Sequence, residues 1–252
     1  AEDRTVVVPD VSKFRGHIAC SSESKSEIVV PVRSHGRVAA VLDIDSRELG
    51  TFDATDAKYL EKIADCIYGP QRDIWFAAGC FWGAEKYFKL IWGVVSTEVG
   101  FANGDTENPT YKEVYTDRTG HAECVHVTYD PRRVSLETLT DYYFKAVDPF
   151  SLNRQGEDEG TRYRTGVYFA GAEDGAALEA FFSEKSEELG AVPVVELMPL
   201  KVFYRAEEYH QDYLEKHPDG YCHLHPELYQ EVREYSRSRT AKIKRVLDWL
   251  EA

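Results

Sequence analysis

A chain of 252 residues with 43% hydrophobic and 29% charged side chains has an ordinary globular composition and is long enough for one large or two modest domains. Its formal net charge of −14, without any basic run or stripe, argues against nucleic acid or an anionic membrane as partner. No stretch approaches the ~18 consecutive apolar residues of a membrane span and no signal-peptide pattern opens the sequence, so a cytoplasmic location is expected.

Residues 1–68 read as a first unit. "SEIVVPV" and "RVAAVLDID" are two β-rich runs separated by "RSHGR", the pattern of a hairpin. "FDATDAKYLEKIADCI" predicts a helix capped by Thr55, with Leu60, Ile63, Ala64 and Ile67 at helical spacing and Cys66 in the core. Two strands and a helix make half a domain. "YGPQRD" places a linker at 69–74.

The second unit, 75–225, opens with a short strand in "DIWFAAG" that runs into a helix beginning near Cys80 and continuing through Tyr87, Phe88 and Ile91. "ECVHVTYDP" alternates as a strand and stops at Pro131. "SLETLTDYYFKAV" predicts a helix with Ser135 or Thr138 as cap, and "YRTGVYFA" another strand. "GAALEAFFSEKSEELG" reads as a helix closed by Gly190. "VVELMPLKVFYRA" is strand-like, and "AEEYHQDYLEKHPDG" predicts a helix ending in a Pro/Gly turn. A helical extension over 226–252 follows, with Ile243, Val246, Leu247 and Leu250 on one face. Strands alternating with helices imply a layered α+β or α/β domain.

Five cysteines (Cys20, Cys66, Cys80, Cys124, Cys222) are odd in number and widely spaced, without CxxC. That spacing suggests neither a zinc site nor a static disulfide framework, so no metal is expected and reduced or transiently oxidised thiols are. Cys80 lies in "FAAGCFWGAEK", where a strand meets a helix. Backbone N–H groups and the positive end of the helix should face its sulfur and favour the thiolate. Gly79 and Gly83 keep its surroundings bare, and Phe81 with Trp82 could wall an apolar slot. An isolated cysteine in such a segment is more often a buried structural one. "NPTYKEVYTDRTGHAEC" and "GEDEGTRYRTG" add Tyr111, Glu123, Asp158 and Tyr163. A carboxyl against an aromatic wall has a raised pKa and can donate a proton, although most Asp and Glu are simply solvated.

Taken together, "GCFWG", "NPTY", "TGHAE", "RQGEDEGTRYRTGVY" and "GYCH" resemble the A-type peptide methionine-S-sulfoxide reductases over about residues 75–225. The resemblance implies a two-layer α/β sandwich with a ferredoxin-like core. It implies thiol-dependent reduction of methionine-S-sulfoxide, in proteins and free, without a bound cofactor. By this likeness Cys80 is the nucleophile, Phe81 and Trp82 hold the substrate methyl, and Glu123 protonates the sulfoxide oxygen. Tyr111 and Tyr163 hydrogen-bond that oxygen and Asp158 orients the polar site. Cys222 is the recycling cysteine, condensing with a Cys80 sulfenic acid to a disulfide that thioredoxin or dithiothreitol reopens. Partners are then oxidised proteins and peptides and a thioredoxin-like reductant. Tyr115 stands where the family often carries a cysteine, and Cys124 reads as structural.

The first unit resembles the back half of the GAF-type free methionine-R-sulfoxide reductases, through "GHIAC", "SEIVVP" and "VLDIDS". Cys20 matches the catalytic cysteine, and Glu27, Asp43 and Asp45 match the residues that hold the free amino acid. With the family's front half absent, this truncated GAF-like segment is expected to be inactive; the alternative is a bifunctional protein that also reduces the free R epimer at Cys20. Two other classes compete for the whole chain. One is a Cys–His thiol hydrolase with His121 or His210 as base, and the other a non-catalytic redox-sensing module.

Overall fold

The computed structural model describes residues 3–14, 23–34 and 37–250, with side chains omitted at 34, 68 and 243–250, and the chain divides into two compact units, 1–71 and 72–252. In the first unit, strands β1 (Val6–Val8), β2 (Ser26–Ser34) and β3 (Arg37–Ser46) form an antiparallel sheet in the order β1-β2-β3, followed by helix α1 (Ala54–Tyr68). The hairpin is as expected, and β1 is an additional strand. Ile28, Val30 and Val32 on one face of β2 pack with Ala64 of α1. The α1 cap is Asp53 rather than Thr55: its carboxylate accepts the N–H groups of Thr55 and Asp56, and Asp56 reciprocates. The packing stripe of α1 is also narrower than predicted. Ala57, Leu60 and Ala64 face the sheet, whereas Ile63 and Ile67 are exposed. Cys66 is exposed as well, which corrects its placement in the core, because the three-stranded sheet covers only one side of the helix.

The second unit contains β4 (Arg72–Ala78), α2 (Phe81–Lys89), β5 (Val94–Ala102), α3 (Tyr111–Val114), β6 (Ala122–Tyr129), α4 (Leu136–Ala146), β7 (Arg154–Gln155), β8 (Asp158–Glu159), β9 (Thr165–Phe169), α5 (Ala172–Leu189), β10 (Glu196–Pro199), β11 (Phe203–Arg205), α6 (Tyr213–Lys216) and α7 (Pro226–Leu250). Since β4 already starts at Arg72, the connection from α1 is only Gly69, Pro70 and Gln71. Six strands make one mixed sheet in the order β10-β9-β4-β6-β5-β11, parallel only at the β10–β9 pair.

Alternation along the strands decides what each sheet face carries. Ile74, Phe76, Val99, Phe101, Val125 and Val127 pack under α2 and α4 in the main core, where Tyr87, Phe88, Leu139 and Tyr143 are fully buried. Ala77, Ala102, Ala122, Cys124 and Tyr168 form a smaller cluster of their own. Ser135 caps α4 and Gly190 closes α5 in the left-handed conformation, both as the sequence predicts. Helix α7 spans the expected extension and buries Val232 in the main core. Its stripe at Ile243, Val246, Leu247 and Leu250 lies outside the described side chains.

Two predicted elements are replaced by something else. "VVELMPLKVFYRA" is not one strand: β10 and β11 occupy opposite edges of the sheet. The helix expected over 206–220 shrinks to the four residues of α6. The preceding stretch is a turn, with His210 N–H on Glu207 O at 2.9 Å, anchored by buried side chains. β11 ends opposite Gly100, the Ala206 N–H still donates to Val99 O at 2.9 Å, and from there the Gln211 amide continues the ladder. Its Oε1 accepts the Val99 N–H at 2.9 Å, and its Nε2 donates to Val99 O at 2.9 Å and Ala206 O at 3.0 Å. Asp212 then takes φ 55° while its N–H donates to Glu85 Oε2 at 2.8 Å. Gln211→Leu strands the buried Val99 N–H and the Ala206 C=O, while Val99 O keeps the Ala206 N–H at 2.9 Å. We expect it to lower unfolding stability by about 2–4 kcal/mol, read as a fall in the urea midpoint at unchanged slope.

Candidate active site

The chain turns from β4 into α2 through Gly79 and Cys80. Gly79 has φ +78°, and a Cβ there would lie 2.6 Å from Gln155 Cβ, so glycine is required twice over. Cys80 is the N-cap of α2 and is 5% exposed. The Trp82 N–H favours its thiolate, as expected at a helix start, but burial and the neighbouring Glu123 carboxyl outweigh it and push the thiol well above its ordinary range. The sequence expectation of a lowered pKa is thereby corrected. Desolvation is the larger effect, and the thiol is protonated until something joins it in the site.

Glu123 stands on β6 opposite Phe101 of β5, on the face turned toward α2. Only 1% exposed, it accepts the Phe81 N–H on Oε2 at 3.1 Å, while Oε1 is buried without a partner. Burial pushes its pKa up to about 8, so the carboxyl holds a proton at neutral pH. Cys124, the next residue, faces the other way into the smaller cluster.

Tyr111 opens α3 and Tyr163 lies in a 3₁₀ turn, Thr161–Tyr163. Burial raises both phenols well above their usual range, with the Glu123 charge adding to it, so both remain hydrogen-bond donors. Asp158 on β8 is also shifted upward by burial, opposed by a 3.0 Å hydrogen bond from the Tyr221 hydroxyl. Phe81 is buried against Phe101 and His210. Trp82 is half-buried, stacked on Tyr213 at 3.8 Å, and donates its indole N–H to His210 Nδ1 at 3.0 Å.

Cys222 does not hang in an open segment. Its sulfur lies over Gly83, where a Cβ would come within 2.9 Å of it, and 3.0 Å from the Tyr229 hydroxyl, which donates to Gly83 O at 3.0 Å. The adjacent His223 donates from Nε2 to Ala78 O at 3.0 Å. Residues 222 and 223 thus bracket the Cys80 turn, one on the helix and one on the strand end.

Several participants escape the sequence reading. Arg162, 7% exposed, pairs with Asp117 and lies over the rings of Tyr115 and Tyr163. Glu207 Oε1 accepts the Tyr111 N–H at 3.0 Å. Tyr221, His223 and Tyr229 complete the surround with His210, which the sequence offered only as a hydrolase base; nothing local to "EEYHQDY", "GYCH" or "PELYQ" says what they touch. His210 spends its acceptor on Trp82, and His121 is bonded to Gly104 N and Thr106 O, so neither is placed as the base of a hydrolase. In the first unit, Glu27 pairs with Asp45 and Val29 with Asp43, so the three carboxylates share the sheet face opposite α1. Asp43 and Asp45 are exposed, and Cys20 lies outside the described residues.

A buried thiol with a protonated acid beside it and a second thiol behind the same helix turn can pass two electrons by forming and opening a disulfide, which is the chemistry of a thiol oxidoreductase. Residues 72–242 match the family described as peptide methionine sulfoxide reductase. The chain is 53% identical over 157 residues to the peptide methionine sulfoxide reductase MsrA of Clostridium acetobutylicum, covering 62% of this chain and 97% of that one. Reduced Mxr1 from Saccharomyces cerevisiae superposes with a TM-score of 0.59 at 36% identity, over 62% of this chain and 91% of that chain. Methionine sulfoxide reductase A of Corynebacterium diphtheriae gives 0.57 at 40% identity, over 61% and 78%. The chain belongs to the peptide methionine sulfoxide reductase family, and it is an oxidoreductase that returns methionine sulfoxide in peptides to methionine. The hydrolase and sensor readings are set aside.

Proposed function

We propose that Cys80 attacks the sulfur of methionine-S-sulfoxide while Glu123 supplies the proton that makes the oxygen transferable. The observation that carries this reading is Glu123 itself, buried, tied to the N–H of the residue after Cys80, and shifted by burial to about 8. Such a group holds a proton in the dark of the site and releases it to an oxygen that gains negative charge. The Tyr111 and Tyr163 hydroxyls hydrogen-bond the same oxygen, Asp158 orients the polar side, and Phe81 with Trp82 receive the methyl. Oxygen passes from the substrate to sulfur: Cys80–SH and the sulfoxide become Cys80–SOH and methionine. The Cys222 thiol then displaces water from the sulfenic acid and leaves a Cys80–Cys222 disulfide. An external thiol, of the thioredoxin type or dithiothreitol, restores both cysteines, and oxidised proteins and peptides are repaired.

With excess substrate and no reductant, the native chain should release methionine and show the Cys80–Cys222 disulfide by peptide mass mapping. Cys222→Ser should still release one methionine per chain and leave a Cys80 sulfenic acid trapped by dimedone. A Cys222→Ser chain that yields no sulfenic acid would remove Cys222 from the cycle.

We further read 75–225 as the catalytic domain, with 1–68, the connection and 226–252 as separate parts. Its chain order β4-α2-β5-β6-α4-β9 with sheet order β9-β4-β6-β5 supports a ferredoxin-like core. For the first unit, the exposure of Asp43 and Asp45 on an open sheet face supports an inactive GAF-like remnant. Consumption of free methionine-R-sulfoxide that depends on Cys20 would overturn that.

A further inference from the structure

Cys222 has a second side. Beyond its sulfur opens a cleft of about 400 Å3, lined by Lys86 of α2, Tyr229 and Arg233 of α7, Cys222, and the apolar residues Leu214 and Leu224 among others. Lys86 and Arg233 are the only charged side chains in that lining. Three carboxylates on the neighbouring turns are spent elsewhere: Asp212 and Glu215 pair with Lys89, one turn on from Lys86, and Glu231 pairs with Lys145. Among the described residues neither Lys86 nor Arg233 has a carboxylate partner, although Lys86 lies 5.6 Å over the Tyr229 ring. In a chain of net charge −14, two cations flanking one thiol without an acid between them form a local attractor for anions.

We propose that this cleft binds a small thiol bearing carboxylates, which acts as reductant at Cys222. The assignment rests on the recycling role given to Cys222 above and names the class of molecule that completes it. Lys86 and Arg233 receive the carboxylates, and Leu214 and Leu224 cover the carbon skeleton. The thiolate of the bound molecule attacks Cys222 Sγ, the Cys80–Cys222 bond breaks, and Cys80 leaves with the electron pair and takes up a proton. A second thiolate of the same class attacks the ligand sulfur of the mixed disulfide and releases the Cys222 thiolate, which is protonated. Two thiols are oxidised to one disulfide, and two electrons return the enzyme to its dithiol. Attack on Cys222 rather than Cys80 follows from burial, because Cys222 faces the cleft while Cys80 is 5% exposed.

The test is a ratio. kcat/KM is measured with glutathione and with its diethyl ester, which keeps the thiol and hides the carboxylates, at saturating peptide methionine-S-sulfoxide. The native chain should prefer the free acid by roughly tenfold at low salt, and the preference should shrink as salt is added. The Lys86→Glu/Arg233→Glu variant should bring the ratio to one or below, and Lys86→Gln/Arg233→Gln should fall between. A folding defect lowers both terms alike and leaves the ratio unmoved. A native ratio near one, or one that survives charge reversal, overturns the proposal. So does a ratio near one combined with a variant that loses only thioredoxin-supported turnover, which would make the cleft a protein docking surface. Disulfide mapping after a single turnover separates the two readings. A Cys80–Cys222 disulfide with no charge preference defeats this proposal alone, and absence of the disulfide defeats the recycling role and this proposal with it.

Discussion

Cys80→Ser is expected to abolish reduction of peptide methionine-S-sulfoxide, by more than about 10³-fold, while leaving the chain folded. Serine fits the same N-cap position, where it is a preferred residue, so the melting temperature should shift little. What is lost is a polarizable nucleophile able to accept oxygen and later surrender it. The check is methionine released per chain in a single turnover, where no reductant step can mask the chemistry. Retained turnover with dithiothreitol would mean that another cysteine carries the reaction. Cys124 is fully buried on the other sheet face, which leaves Cys222 as the candidate among the described cysteines of the second unit.

Glu123→Gln preserves shape and the Phe81 N–H contact but removes the transferable proton. A loss of about 10²–10⁴-fold in kcat is expected, with a smaller change in KM. The pH profile distinguishes a proton donor from a spacer. Burial raises Glu123 to about 8, and the neutral acid is the active form, so kcat/KM in the native chain should hold below that value and fall as pH rises through it. In Glu123→Gln that descending limb should vanish. Stability follows the same sign. A carboxyl with its folded-state pKa above its unfolded one favours folding least at high pH, so the native chain loses stability as pH climbs from about 4.5 to about 8, and the glutamine variant lacks that loss. A limb near 8 that persists in the variant would assign it to another group.

The site was legible where chemistry is written locally. A strand, a glycine and a cysteine before aromatic residues at 76–82 state a thiol at a helix start, and alternation along "AECVHVTY" sends Glu123 and Cys124 to opposite faces, as found. What was not legible depends on partners far away in the chain. His210 meets Trp82 across 128 residues, and Tyr229 meets Gly83 across 146. The periodicity of 206–220 predicts a helix because its apolar spacing is helical. It cannot show that β11 stops short and leaves the Val99 N–H for Gln211. Nor does position at a helix terminus set a pKa by itself. Cys80 has the expected N–H, but the depth of the site and the acid beside it decide the direction. Cys66 failed for the related reason that amphipathic spacing states which side of a helix is greasy, not whether anything covers it.

The edges of the six-stranded sheet have a consequence for the company this enzyme keeps. Proteins with oxidised methionines have often lost part of their packing, and they present loose extended segments to whatever approaches. A long open edge strand would invite such a segment to pair with it. Here the edges are β10, four residues ending in Pro199, and β11, three residues, while the longer strands are enclosed between them. The catalytic unit built this way can touch damaged clients through its active site while its own sheet offers them no template on which to aggregate; the ten-residue edge strand β3 of the first unit has no such protection.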